Sequence, residues 1–549
     1  MSVFNLLRDP WIPVVTACGR MREIAPAGLT EGIGGDAIVD LAWPRADFRA
    51  AGMEFLVGLL TTVFCPEGNS AWARWWNAPP SPQVLAEGFA AFERAFDLDG
   101  EGPRFLQDGG DLGTETSPVS GLLIEQPGAN TEKNNADLFV KRGGVTVLSR
   151  KAAAIALYAL QSFAPSGGAG HRTGLRGGGP LTTLVLPPQA DAGRQTLWHL
   201  LWLNVVPLFD MDAVGAPLDK PQKTFPWLGP TRISDKGGVE TTFNDMHPAQ
   251  CFWGMPRRIR LDFEPNRDGL PCALTGIVDD VILRSYRTRP YGVNYQAVPH
   301  PLTPFYRVKP GSEPLPVHPQ PGSISYRNWP NFTQSRADGT REPAQCVRVA
   351  GARIKGQTRL RLCGYDMDNM KARGFVEAEM PLFFCSSQQK QTRLEGLVAA
   401  LVEAASEVSR LMLSQMKAAR GGDGAELDVI RESFWAETEG AFFALLASAV
   451  ARFEARHEAE EDTETAASLA SEWLENTLRP AALAIFDRHV RADAVMVNAN
   501  DLNAMRALVL ARSLLASALH GAGPSGKSLY KSLGLMAPEP KRTAKGGRK

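Results

Sequence analysis

The chain of 549 residues is 44% hydrophobic and 21% charged, a composition typical of a globular protein that buries a large core. Its 59 Lys and Arg residues balance 59 Asp and Glu residues, which argues against a protein coated with nucleic acid on all sides but allows local basic patches. Seven scattered cysteines, none spaced as CxxC, disfavour a disulfide framework and favour a reducing, cytoplasmic environment. No run predicts a transmembrane helix, and the first residues, MSVFNLLRDPWIPV, lack the pattern of a signal peptide.

Residues 1–385 predict a large, irregular domain of mixed α and β structure. Short apolar runs between Pro- and Gly-rich stretches predict strands at Thr182–Leu186, Ile277–Leu283 and Arg359–Cys363. Apolar residues at helical spacing predict helices at Arg49–Phe64, Pro82–Phe96, Arg150–Phe163 and Arg194–Leu203. Because strands and helices do not alternate regularly, a doubly wound sheet and a βα barrel are disfavoured, and the fold class is α+β.

A glycine-rich stretch follows the third of these helices. Residues 166–180 read SGGAGHRTGLRGGGP and hold seven glycines, which are costly to order and offer no side chain for packing. A dinucleotide fingerprint is disfavoured, because the glycine after Gly168 and Gly170 comes one position late and the stretch follows a helix. Two interpretations stay open: a loop whose backbone lies against a nucleic acid in a narrow groove, or a structural turn before the next strand.

Residues 284–309 form a basic segment rich in tyrosine. It holds five Lys and Arg residues, no acidic residue and four of the chain's eight tyrosines. Basic side chains neutralise phosphates and aromatic rings stack on bases, so the segment is a candidate nucleic-acid surface. A half-buried hairpin with arginines on its solvent face is equally compatible with the sequence.

A tight turn is predicted within GYDMDNMKAR, residues 364–373, because Gly, Asp and Asn favour turns. Met367 and Met370 fall in this turn. An exposed methionine there has the shape of a wedge that unstacks a base step, whereas a hairpin tip could instead fold its methionines back onto the protein.

Four long helical patterns after Cys385 predict an antiparallel four-helix bundle over residues 386–520, followed by a flexible basic tail over residues 521–549. Residues 521–528 match the P-loop pattern GxxxxGK[ST], so a P-loop NTPase is an alternative. It is disfavoured because the motif follows a helix and leaves no room for a nucleotide-binding sheet. His247 and His300 lack a nucleophile motif or metal-ligand partner, so no catalytic residue and no metal or other cofactor is expected.

Several motifs together resemble one family. In chain order they are FNLLRDPWIPV, VSGLLIEQPG, SGGAGHRTGLRGGGPLTT, CFWGMPRRI, VPHPLTPF and CGYDMDNMKAR. They resemble CasA, the large subunit of Cascade, the type I-E CRISPR surveillance complex. The resemblance implies a non-enzymatic subunit that recognises the PAM, the short motif adjacent to the target sequence, from the minor groove of double-stranded DNA. It also implies that this subunit wedges the duplex open to start an R-loop. It implies guide RNA, the small and backbone subunits of Cascade and a helicase-nuclease as partners; a structural scaffold that does not recognise DNA is the remaining alternative.

The same resemblance assigns residues. It implies a PAM-contacting glycine loop at Ser166, Gly167, Gly168, Ala169 and Gly170, a basic finger at Arg289, and a wedge at Asn369, Met370 and Lys371. It implies a loop near the guide RNA and the DNA backbone with Asn130, Lys133, Lys141 and Arg142. This chain departs from the family pattern: Ser166 and Ala169 replace glycines, Arg289 a lysine and Met370 a glutamine. Only Cys272 remains of a cysteine-rich cluster found in some relatives, so no metal is expected.

Overall fold

The computed structural model describes residues 3–135, 137, 142–168, 170–208, 220–235, 238–296, 298–320, 322, 324–368, 370–420, 424–456, 463–494 and 502–538. The chain divides into two compact units. The first comprises Met1–Pro321, Ser335–Ile354 and Thr358–Leu382, and the second comprises Gly322–Gln334, Lys355–Gln357 and Phe383–Lys549. The first unit is mixed α/β and the second is helical, so the predicted α+β fold class is confirmed.

The strands are short except for one long hairpin. They are β1 (Ile12–Thr16), β2 (Met21–Ile24), β3 (Ile38–Leu41), β4 (Ser117–Pro118), β5 (Leu148–Ser149), β6 (Thr182–Leu186), β7 (Glu240–Thr241), β8 (Arg258–Pro265), β9 (Val281–Arg289), β10 (Asn294–Tyr295), β11 (Phe305–Tyr306), β12 (Leu315–Pro316), β13 (Arg341–Glu342), β14 (Gly356–Asp368) and β15 (Lys371–Phe384). Their sheets have the orders β2-β1-β3, β10-β7, β12-β11-β13, β15-β14-β6 and β4-β9-β5, with β8 also paired to β9. These small sheets produce the irregular pattern seen in the sequence.

The helices are short in the first unit and long in the second. They are α1 (Ala46–Phe64), α2 (Asn69–Asn77), α3 (Pro82–Ala90), α4 (Ala129–Lys133), α5 (Arg150–Phe163), α6 (Leu197–Asn204), α7 (Trp329–Thr333), α8 (Gln345–Arg353), α9 (Gln388–Arg420), α10 (Gly424–Glu454), α11 (Thr463–Glu472), α12 (Arg479–Ala494), α13 (Leu502–Leu519) and α14 (Gly523–Ser532). No single helix in the described ranges is long and apolar enough to cross a membrane; only α1 and α2 taken together, bent by 119°, pass by length and composition.

The core of the first unit is built around α1 and α5, which pack together. Phe55 of α1 lies at its centre. Its ring meets five other aromatic rings edge-on, with centroids 5.3–6.1 Å away: Trp11, Phe96, Phe105, Tyr158 and Trp253. Such edge-to-face pairs add about 0.5–1.5 kcal/mol each beyond the burial of their area, so α5 has a rigid base from which the glycine-rich stretch emerges.

The connection between α5 and β6 brings two predicted sites together. The helix α5 ends at Phe163, the glycine-rich stretch follows, and β6 begins at Thr182. Strand β6 pairs antiparallel with β14, with Thr182 opposite Cys363, and β14 continues into the hairpin with β15. The glycine-rich stretch and the methionine turn therefore lie at the same end of one sheet.

In the second unit, α9 packs against α10, α12 and α13. A π-helical segment, Trp473–Leu478, joins α11 to α12 just before Pro480, a residue whose missing N–H interrupts regular helical hydrogen bonding. Residues 322–334 also belong to this unit, because the ring of Tyr326 stacks on Phe442 at 4.3 Å and its hydroxyl bonds Thr438. Residues 523–532, predicted as part of a flexible tail, instead form α14, since Leu529 and Tyr530 are buried.

Candidate nucleic-acid interface

The predicted glycine loop is a closed turn after α5. The Gly167 amide donates to the His171 carbonyl at 3.2 Å, and the His171 amide donates to the Gly168 carbonyl at 2.8 Å. The Ser166 hydroxyl also donates to the His171 carbonyl, at 3.3 Å. Gly168 and Gly170 have φ values of +66° and +84°, a region that disfavours other residues. Ala169 lies outside the described residues.

Tyr291, two residues after the end of β9, fixes this loop to the basic segment. Its amide donates to the Gly170 carbonyl at 2.9 Å, and a Cβ at position 170 would lie 2.5 Å from Cε1 of its ring. Its own φ is +64°, a strained conformation for a bulky residue. The Arg172 guanidinium lies 6.0 Å from the ring centroid and also donates to the Ser234 hydroxyl. The loop and the strand that carries Arg289 are therefore held as one assembly.

The contrast between Gly168 and Gly170 gives a direct test of this attachment. Replacing either glycine by alanine would force the alanine into the left-handed region, at a conformational cost of about 1–2 kcal/mol. A Cβ at position 168, however, meets nothing within 4 Å. We expect Gly170→Ala to lower the exchange protection of the Tyr291 amide by about tenfold or more relative to Gly168→Ala, because only that change pushes against the ring. Hydrogen–deuterium exchange read at Tyr291 measures this; equal loss in both variants would contradict the attachment.

The second half of the glycine-rich stretch is structural. The Arg176 guanidinium is 2% exposed and lies 2.5 Å from the Glu54 carboxylate, which is 1% exposed. Arg176 also donates to the hydroxyls of Thr303 and Thr182, at 2.9 and 3.3 Å. The polar atoms of Arg176 are thus turned into the core, so this half of the stretch serves as a turn before β6.

The two histidines considered for catalysis, His247 and His300, are buried. His300 is fully buried, and burial lowers its pKa well below the usual value, with Arg176 adding to the effect. Burial lowers the pKa of His247 to about 4, and its Nδ1 accepts a hydrogen bond from the Ala249 amide. Both rings are therefore neutral at pH 7. No group of three metal-ligating side chains that could hold an ion is found in the described ranges.

Most of the basic segment forms the half-buried hairpin that was one of its two interpretations from sequence. Strand β9 lies between β8 and the short strands β4 and β5, Tyr286 is buried, and Tyr295 is half-buried. Three of its arginines pair with acidic residues: Arg284 with Glu264 at 2.8 Å, Arg287 with Asp262 at 2.7 Å and Arg307 with Glu342 at 2.6 Å. Arg289, at the end of β9, is exposed and donates to the Leu112 carbonyl at 2.9 Å. Within the described chain it has no acidic partner, so its charge is available to a ligand.

In the methionine turn, one methionine is exposed and the other folds back onto the protein, so each predicted alternative describes one of them. Met370 is 55% exposed and has a φ of +72° at the tip of the hairpin between β14 and β15. Met367 is half-buried, with its Cγ near Gly179, so this side chain folds back onto the protein. Arg373 pairs with Asp366 at 2.6 Å across the hairpin, and Lys371 is exposed. Asn369 lies outside the described residues.

The glycine loop and the methionine turn share one cleft. Its volume is about 320 Å³, and Ser166, Thr173, His318, Met367 and Met370 are among its lining residues. Through Tyr291, the segment that follows Arg289 reaches the same loop. The structure thus brings Ser166, Gly167, Gly168, Gly170 and Met370 together, with Arg289 two residues from the Tyr291 attachment.

The loop assigned to guide RNA is only partly described. Lys133 is exposed at the end of α4, which also contains Asn130, and Lys141 lies outside the described residues. Arg142 forms a two-pronged ion pair with Asp137, and its guanidinium holds the pKa of that carboxyl below the usual value. Arg142 also donates to the Asn135 side chain at 3.1 Å. The Arg142 guanidinium is therefore already paired within its own segment.

The P-loop match does not form a phosphate cradle. Residues 523–528 are the first turns of α14, which follows α13 without an intervening strand. The Ser528 hydroxyl, which would bind Mg²⁺ in a P-loop, instead donates to the Glu407 carboxylate at 2.7 Å. The strand–loop–helix context that this motif requires is missing here.

The family model for the CRISPR-associated protein Cse1 matches residues 5–484, most of the chain. The chain belongs to the Cse1 family. A Thermus thermophilus structure named CasA (Cse1) is 21% identical, with a TM-score of 0.65 over 94% of this chain and 99% of that one. Thermobifida fusca Cse1 is 18% identical, with a TM-score of 0.67 over 97% and 98%. A search of curated protein sequences finds no match.

A chain described as part of a CRISPR RNA-guided surveillance complex is 16% identical, with a TM-score of 0.63 over 94% of this chain and all of that one. At these identities the structural likeness establishes the fold. The family match and the shared fold confirm the resemblance to CasA that the sequence motifs indicated. Sequence reasoning included Tyr291 only as one of four tyrosines in the basic segment, and it did not predict that Thr173 and His318 line the cleft.

Proposed function

We propose that this Cse1 family member is the large subunit of an RNA-guided type I-E surveillance complex, and that its first unit recognises the PAM of target DNA. The family match over residues 5–484 supports the first part, and the relative from a CRISPR RNA-guided surveillance complex supports assembly with guide RNA and other subunits. The proposal assigns no catalytic step to this chain.

The observation that carries PAM recognition is the convergence of three unlike elements. A glycine loop with little side-chain bulk, an unpaired arginine and an exposed methionine turn are joined through Tyr291 and one cleft. The minor groove is about 6 Å wide, so backbone and small side chains fit it better than large ones. The hydrogen-bonding groups in the minor groove differ mainly between A·T and G·C pairs. Recognition by this surface is therefore expected to tolerate several PAM sequences.

Each element has a separate task in this proposal. Arg289 and Lys371 neutralise phosphates and fix the register on the duplex. Ser166 and Gly167–Gly170 approach the base edges, with one polar side chain at Ser166. Met370 inserts beside the PAM and supplies apolar surface to a step that costs a few kcal/mol to unstack. Base pairing to the guide RNA then recognises the rest of the target.

The second unit offers a surface for other subunits. Helix α13 exposes a row of apolar side chains, from 49% to 70% exposed: Met505, Val509, Leu510 and Leu514. Exposed apolar rows of this kind are typical of protein interfaces. We assign contact with the small and backbone subunits to this unit, and recruitment of the helicase-nuclease after R-loop formation to the assembled large subunit.

Site-specific crosslinking tests whether the chain touches DNA at all. We expect a photo-crosslinker placed at Lys371 or Arg289, in the reconstituted guide complex, to attach to the PAM duplex. The same group at Lys527, an exposed lysine of the second unit, is the matched control and should give no PAM crosslink. If all three positions behave alike, the chain is a scaffold that does not recognise DNA.

A further inference from the structure

The cleft beside the methionine turn has a wall composition unlike that of a phosphate site. Three chain segments line it: Pro165, Ser166 and Thr173 after α5; His318 to Gln320; and Met367 with Met370. None of its nine lining residues is Lys, Arg, Asp or Glu. Burial lowers the pKa of His318, with backbone hydrogen bonds to Gly179 and Gly178 opposing the shift, so the ring is neutral at pH 7. An anion would find no counter-charge here.

The walls instead match a flat ligand with apolar faces and polar edges. Methionine and proline supply polarisable apolar surface, and methionine contacts aromatic rings favourably. Thr173 and Gln320 add hydroxyl and amide groups that can both donate and accept hydrogen bonds, and the Ser166 hydroxyl, which donates to the His171 carbonyl, can accept one. The Nδ1 atom of His318, one of the lining residues, is buried without a hydrogen-bond partner in the described chain. Nucleobases extruded from a duplex are held by this combination of apolar faces and edge contacts.

We propose that the cleft receives an unpaired nucleobase of the displaced DNA strand, at the first position beside the PAM. This inference rests on the proposed function, because it requires Met370 to open the duplex there. Opening one pair frees two bases. The base on the target strand pairs with the guide RNA, whereas its former partner on the displaced strand loses both pairing and stacking. The cleft adjoins Met370 and Ser166, so this orphaned base is the one that it can reach.

A double-mutant cycle, which combines protein variants with changes in the DNA, tests whether the cleft holds the displaced-strand base. Met367→Ala removes an apolar wall, and Gln320→Ala removes an exposed polar edge. Each variant, in the reconstituted guide complex, is measured with an intact target and with a target that lacks the first displaced-strand base. We expect each variant to weaken binding of the intact target about tenfold and the abasic target by less than twofold, the behaviour of contacting partners. The control is Met536→Ala, at a methionine of the second unit that is 94% exposed. It should change the affinity for neither the intact nor the abasic target.

The outcomes separate this inference from the proposed function. Removing the opposite base, on the target strand, should leave the effect of Met367→Ala unchanged. If the complex prefers the correct PAM but Met367→Ala and Gln320→Ala weaken intact and abasic targets equally, the cleft does not hold the base while PAM recognition stands. If the complex shows no PAM preference, the proposed function itself fails.

Discussion

Replacing Arg176 by methionine is expected to lower the free energy of unfolding of the first unit by about 3–5 kcal/mol, because the Glu54 carboxylate would be left buried without its partner. Both side chains are 2% exposed or less, and Thr182 and Thr303 complete the network around them. Nine of the twelve tryptophans lie in the first unit, so urea unfolding followed by tryptophan fluorescence measures this change.

Two controls isolate the buried pair. Arg287→Met breaks a partly exposed ion pair with Asp262 and should cost at most about 1 kcal/mol. The double variant Glu54→Leu with Arg176→Met removes both charges and should recover much of the loss. Equal destabilisation by Arg176→Met and Arg287→Met would show that the buried pair does not hold the turn before β6.

Replacing Met370 by alanine is expected to weaken binding of a duplex target by about 10- to 100-fold, since a few kcal/mol of unstacking would no longer be offset by the wedge. A target whose first base pairs beside the PAM are mismatched is already open, so Met370→Ala should bind it nearly as well as the unchanged chain. Gel-shift or filter-binding affinities of the reconstituted guide complex for the two targets measure the difference.

The methionine control is again Met536→Ala, because that side chain is exposed but lies outside the candidate interface. It should leave both affinities unchanged. If Met370→Ala weakens binding of the closed and the opened target by the same factor, Met370 contributes contact area and does not act as a wedge.

Local signals predicted the elements that carry the site. Helix α5 and strand β6 have the predicted bounds, Arg150–Phe163 and Thr182–Leu186, because both are apolar runs with clear ends. The strand predicted at Ile277–Leu283 instead begins at Val281, since the Asp279 carboxylate accepts from the Arg150 amide and pairs with its guanidinium. That contact joins residues far apart in the chain, so no local pattern could reveal it.

Helix α14 shows a second limit. Its first residues, Gly523 and Pro524, resemble a loop, yet proline is favoured in the first turn of a helix. Burial of Leu529 and Tyr530 decides the outcome, and that burial depends on the packing of α14 against α9 and α13. The sequence pattern therefore predicted a tail where tertiary contacts make a helix.

The candidate site was predictable in its parts and not in its assembly. The sequence left two alternatives for the methionines, and the structure assigns one to each: Met367 folds back and Met370 is exposed. Tyr291 lay within the basic segment, but its role depends on a positive φ and on the missing Cβ of Gly170. The dipeptides flanking it, Arg-Pro and Gly-Val, signal a turn and nothing about what the ring would contact.

The most direct measurement compares the affinities of the reconstituted guide complex for two target duplexes that differ only in the PAM, at one fixed salt concentration. With this chain present, we expect the duplex with the correct PAM to bind at least about tenfold more tightly than the one with a scrambled PAM, and Gly170→Ala and Met370→Ala to reduce that ratio. Equal affinity for the two duplexes would contradict PAM recognition by this chain.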